Sequence, residues 1–219
     1  MSRSSTCFIQ VLANGTYGLR RTRPLVISAI LCGLALAAPG IFSQASSNTL
    51  QQGIDTIRQI LAKDGLYSRS TTSARNNYKS LTERKFSLSA ADGCKLVVES
   101  DSHVHTEEPT QNHVSDRMST EVLHPDFSVM DTASVYVGDP QPPQPTWEAK
   151  GYLVRISVEV GKPMIVASTV DKATNTAHVL PGLPTLAVYV SSREAADRLA
   201  AAFKQVATAC RANASAKQQ

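Results

Sequence analysis

Residues 152–170 read YLVRISVEVGKPMIVASTV, and their alternation sets the fold class. Tyr152, Val154, Ile156, Val158 and Val160 fall on one side of an extended chain, with Leu153, Arg155, Ser157 and Glu159 on the other. Successive side chains of a strand point to opposite faces, so the pattern predicts a strand with one face buried. Gly161-Lys162-Pro163 then supplies turn chemistry, and an apolar run resumes from Met164 to Val170. The two runs are expected to pair as an antiparallel hairpin.

The same period extends outward in both directions. From Phe86 the chain alternates, with Leu96, Val98, Ser100, Ser102 and Val104 opposed to Lys95, Val97, Glu99, Asp101, His103 and His105. That is a long strand with one wet face. Ala133 to Val137, and Leu186, Val188 and Val190, mark two further strands.

Helical spacing brackets this region. Leu50, Ile54, Ile57 and Leu61 form an apolar stripe between a capping pair, Asn48 with Gln51, and a stop at Gly65. Ser191-x-x-Glu194 resembles a capping box, and Ala195, Leu199, Ala202, Phe203, Val206 and Cys210 make a second stripe. The expected class is α+β: an N-terminal amphipathic helix, an antiparallel sheet of about six or seven strands, and a long C-terminal helix packed on it. The segments are a leader over 1–45, a helix over 46–66, a polar linker over 67–84, the α+β domain over 85–211 and a disordered tail over 212–219. Within the linker, residues 68–80 carry no apolar period and read as an exposed loop.

Strands followed by one long terminal helix, over roughly residues 85–211, resemble the layout of pleckstrin-homology-like domains, which implies a bent sheet plugged by that helix. A cystatin-like or other helix-on-sheet arrangement is the alternative. Neither resemblance implies an activity.

Arg3, Arg20, Arg21 and Arg23 precede an apolar run from Leu25 to Ala38 that ends at Pro39-Gly40. This is the order of an export signal, and the run is shorter than the roughly 20 residues needed to span a bilayer. Cleavage is expected after Ala45, with Ala35-Leu36-Ala37 as the other small-residue site, by ordinary secretion rather than twin-arginine export. Leu31 before Cys32 argues against lipid anchoring. The product is secreted or periplasmic, with no stable membrane span.

The full chain has 22 basic and 18 acidic residues, and four of the basic ones lie in the leader. The mature chain is therefore neutral, and no basic stripe interleaves with aromatics, so nucleic acid is not an expected partner. Cys7 and Cys32 leave with the leader, so Cys94 and Cys210 remain to pair with each other in an oxidising compartment. Cys210 lies on the buried helix face, where it can reach a strand carrying Cys94. Closing a loop of about 115 residues is worth up to roughly 4–5 kcal/mol in the chain-entropy model.

Several local patterns suggest chemistry. His103 and His105 share a strand face near Glu99 and Asp101, with His113 further along, and such ligands suit zinc or copper. No spacing specifies a third ligand, so neither a metal nor any other cofactor is assigned. His124-Pro125-Asp126 repeats the tripeptide of J-domain co-chaperones, but its flanks differ. It reads as a turn whose Asp126 caps the next segment. Asp139 to Pro145 is a polyproline-type connection, with Trp147 an anchor under that loop. Glu107-Glu108 reads as part of a polar loop. No nucleophile elbow, Ser-x-x-Lys, His-Glu-x-x-His or phosphate-cradling loop occurs, and no catalytic residue is nominated. The expected function is an exported, non-enzymatic binding or structural module for a protein or a small apolar ligand. The alternative is a small hydrolase assembled from scattered His, Asp and Ser.

Overall fold

The computed structural model describes residues 40–73 and 77–216, with side chains from Asn48 onward. The basic leader, the apolar run, Cys7, Cys32 and residues 217–219 lie outside the described residues. Helix α1 spans Gly40–Asp64, and ten strands follow: β1 Leu66–Ser73, β2 Tyr78–Asp92, β3 Lys95–Glu108, β4 His113–His124, β5 Met130–Gly138, β6 Trp147–Lys150, β7 Tyr152–Val158, β8 Ile165–Asp171, β9 Thr176–Leu183 and β10 Thr185–Val190. Helix α2, Arg193–Ala216, closes the chain. Among the described residues no helix is long and apolar enough to cross a membrane.

The strands form two antiparallel sheets. Seven pair in the order β6-β1-β2-β3-β4-β8-β9, and three in the order β10-β7-β5. The α+β class holds, with the C-terminal helix packed on sheet as expected. After β4 the chain passes back and forth between the two sheets, staying in the large one for β8 and β9, which strand order along the sequence does not disclose. The 152–170 hairpin is therefore wrong: β7 pairs with β5 and β10, while β8 pairs with β4 and β9. Adjacent strands instead present Val154 and Ile156 from one sheet, and Ile165 and Ala167 from the other, to one shared core. Val160 is left beyond the end of β7, fully exposed rather than buried.

Both helices bury the stripes read from their spacing. Ile54, Ile57 and Leu61 of α1, and Leu199, Phe203 and Val206 of α2, are each at most 2% exposed. Burying one such side chain contributes about 1.5–3 kcal/mol, before the entropy of ordering it. Helix α1 begins upstream of Asn48, so that residue lies inside the helix rather than at its start. Helix α1 stops where expected, but for a steric reason. A Cβ at Gly65 would stand 2.4 Å from the Leu61 carbonyl oxygen and 2.7 Å from that of Phe86, a contact only glycine permits. The α2 cap sits one residue later than the sequence suggests: Ser192 Oγ accepts from the Ala195 amide at 3.2 Å. Ser191 instead donates to the Asp64 carboxylate, and its amide to the Asp64 carbonyl, tying the end of β10 to the end of α1. Helix α2 runs to Ala216, so residues 212–216 are helical, not a disordered tail.

The polar stretch expected as a linker is also strand. Ser68↔Glu83 and Ser70↔Leu81 pair across β1 and β2, both of which extend past the core. Helix or strand is read from a buried face, and here neither face is buried, so the Ser- and Thr-rich segment shows no period. Strand β3 likewise continues to Glu108, placing Glu107-Glu108 in a ladder rather than a loop. The Asp139–Pro145 connection does stay outside regular strand. Trp147 lies in edge strand β6, half-buried, with the Arg69 guanidinium 5.2 Å from its ring centroid.

Candidate functional site

Cys94 and Cys210 form a disulfide with a Cα separation of 5.7 Å. The pairing expected from the cysteine count is present, with one change of place. Cys94 lies not in a strand but in the two-residue turn joining β2 to β3, behind Gly93 at φ +57°. Glycine takes that left-handed conformation without steric cost. Phe127 donates its amide to the Cys94 carbonyl at 2.8 Å, and Leu96 donates to the Pro125 carbonyl at 3.0 Å, so this hairpin tip sits against the segment following β4.

That segment begins with His124-Pro125-Asp126, which behaves as a turn opener. Asp126 caps the 3-10 turn Phe127–Val129, accepting from both the amide and the hydroxyl of Ser128. The turn drops Phe127 into the core, where its ring meets Phe203 of α2 edge-on at 5.5 Å. Beside it, at the end of the large sheet and against the start of β5 and the end of β7, lies a cleft of about 420 Å³. Four pieces of chain build it: the β2–β3 tip (Ala90, Ala91, Leu96, Val97), the end of β4 (His124), the start and end of small-sheet strands (Met130, Val158), and the end of the β7–β8 connection with the start of β8 (Pro163 to Val166). Eleven of the fifteen lining residues are apolar, and the polar ones are Asp92, Lys95, His124 and Asp126. Val160 in the connection is fully exposed, and Met164 and Val166 are 58% and 59% exposed. None of the lining residues is Ser, Thr or Cys, so His124 has no hydroxyl or thiol nucleophile beside it in the cleft.

The histidine pair lies elsewhere, on the overshooting part of the large sheet. His103 Nε2 and His105 Nδ1 both approach Asp116 Oδ1, at 3.0 and 2.8 Å, and His105 Nε2 lies 3.4 Å from Glu107. Asp116, opposite His105 on β4, is the partner that the sequence did not reveal. Its hydrogen bond, then that of Glu107, raises the His105 pKa, and the two imidazoles lower that of Asp116. Asp101, expected near the imidazoles, instead accepts from Lys172 and Thr120 at 2.6 Å each, and the Lys172 hydrogen bond holds its carboxyl below the ordinary range. His113 stands opposite Glu108 at the far end of the β3–β4 ladder. Among the described residues no group of three or more His, Cys, Asp or Glu is arranged to hold a metal ion.

Registers across the large sheet show a further asymmetry. The core face carries Phe86, Leu88, Leu96, Val98, Leu123 and Ala167, all buried. The opposite face carries Leu66, Leu81, Val114, Met118, Val166 and Val179, six of the nine large hydrophobics exposed among the described residues. Lys79, Glu83, Lys85 and the histidine pair are interleaved with them. A hollow of about 350 Å³ on this face is bordered by Leu66, Lys85, His103 and Met118.

Compared with known proteins, the chain matches no family model, no curated protein and no solved structure.

Proposed function

We propose that this chain is an exported, non-catalytic binding module that holds a small apolar ligand in the cleft beside the Phe127 turn. The observation that carries the reading is the cleft itself: about 420 Å³, within the range of small-molecule sites, with eleven of its fifteen lining residues apolar. Its exposed rim residues Met164 and Val166 lose water when a ligand covers them, which is the driving force for binding. The export reading supports an extracytoplasmic carrier or sensor, since the leader pattern and the disulfide both suit an oxidising compartment.

The test is fluorescence titration with N-phenyl-1-naphthylamine, a neutral apolar dye. Saturable binding at one site is expected. Met164→Asp and Val166→Asp, which place a carboxylate on the rim, should each weaken it by about tenfold or more. Unaltered affinity in both variants would remove the cleft from consideration.

A second reading has its own observation, the exposed Leu66, Leu81, Val114, Met118 and Val179 on the uncovered sheet face away from the cleft, which suit a protein partner. Leu81→Glu with Met118→Glu should abolish such an interaction while leaving dye binding in the cleft unchanged.

A further inference from the structure

The last turns of α2 hold two walls of the cleft at once. Cys210 is bridged to Cys94, which sits between Asp92 and Lys95 in the wall built from the β2–β3 tip. The next residue, Arg211, donates from one guanidinium nitrogen to the Met130 carbonyl and to the Glu159 carboxylate. Met130 belongs to the small-sheet wall, and Glu159 directly follows Val158 of the same wall. One helix end thus sets the separation of the two sides.

The first of these ties has little support if it opens. Ala91, Asp92, Gly93 and Lys95 are all exposed, so beyond Leu96, buried at the base of the tip, no other packed side chain holds its turn once the bridge is open. What remains are the buried Leu96 side chain and the backbone bonds from Phe127 and Leu96 to the neighbouring segment. The second wall keeps its own ties, because Glu159 donates its amide to the Val129 carbonyl and Met130 pairs with Val158. Local opening is set by such differences in local contact density. Cys94 is half-buried, whereas Cys210 is 1% exposed, so a reductant reaches the Cys94 sulfur first.

We propose that the Cys94–Cys210 bridge is a redox gate on the cleft: reduction releases the β2–β3 tip from α2 and lowers ligand affinity while the rest of the domain stays folded. The step requires a dithiol reductant. Its thiolate bonds to Cys94 Sγ and displaces Cys210 as a thiolate, which takes up a proton. The reductant's second thiol then displaces Cys94, leaving two protein thiols and an oxidised reductant, with two electrons transferred. The inference rests on the ligand reading above, and its test separates the two.

The experiment compares the full chain oxidised, reduced with dithiothreitol, and as the Cys94→Ala/Cys210→Ala variant. Amide hydrogen exchange over residues 90–97 is measured alongside N-phenyl-1-naphthylamine affinity and far-ultraviolet circular dichroism. In the reduced protein and in the variant, exchange over 90–97 should accelerate about tenfold or more with the α1 and α2 signals retained, and dye affinity should fall by a similar factor. Reoxidation should reverse the change in wild type alone. Unchanged exchange, or unchanged affinity of a folded reduced protein, would overturn the gate. So would loss of the whole fold on reduction, since the bridge would then be a staple of the entire domain. Faster exchange in a protein whose oxidised form binds no dye would support the loosening and remove the ligand reading instead.

Discussion

Phe203→Ala tests the joint between the helix layer and the turn that shapes the cleft. Phe203 is 1% exposed on the inner face of α2, and its ring meets Phe127, which is fully buried, at 5.5 Å and 60°. Truncation removes a buried ring and leaves a cavity that α2 cannot collapse around, because Cys210 pins the helix two turns further on. Changes of this kind cost about 3–5 kcal/mol, with the lost edge-to-face contact supplying roughly 0.5–1.5 of that. At about 2–4 °C per kcal/mol for a chain of this size, the melting temperature should fall by roughly 6–20 °C. Urea unfolding with the bridge kept oxidised is the assay, and the midpoint should fall with the slope m unchanged. Pairing the change with Phe127→Ala in a double-mutant cycle should return a coupling of about 0.5–1.5 kcal/mol. A loss below about 1 kcal/mol at unchanged m, or additive single losses, would show that the two rings do not share one packed core.

Three further outcomes are expected. Ser192→Ala should cost about 1 kcal/mol by removing the α2 cap, measured by thermal denaturation, and a larger loss from Glu194→Ala would restore the capping-box reading. Gly93→Ala should cost about 1 kcal/mol although nothing lies within 4 Å of the added Cβ, because the left-handed backbone alone opposes it. The His105–Asp116 contact should depend on pH in two directions. The raised His105 pKa gives stabilisation that is present below about 6.5 and lost as pH rises through the folded value. The lowered Asp116 pKa gives stabilisation present above the ordinary carboxylate range and lost as pH falls through the folded value. A proton NMR titration should accordingly show Asp116→Asn moving the His105 midpoint down, and an unmoved midpoint would refute the shared contact.

The elements that were legible in the sequence are those with one buried face. Leu199, Phe203, Val206 and Cys210 recur at helical spacing because one side of α2 must leave water, and Val154 and Ile156 alternate for the same reason. Asp126 was readable as a cap because capping is local chemistry between neighbours. Strands β1 and β4 were not readable: Ser68–Ser73 and His113–Thr120 lie beyond the core, and nothing in their composition records a side. Asp116 was missed with β4, since its closeness to His105 follows from register alone. The cleft was out of reach too, because Val97, His124, Met130 and Met164 carry no common spacing.

The amino-acid sequence by itself determined the α+β class and the buried stripes of both helices, because periodicity is a property of short stretches. Tertiary structure alone decided which strand lies beside which. A strand satisfies its hydrogen bonds equally well with any partner of suitable register, so the choice falls to the shared core, where β7 and β8 gain more by facing each other's residues across two sheets than by pairing edge to edge. That choice brings ends of strands from both sheets together beside the Phe127 turn, where the cleft lies.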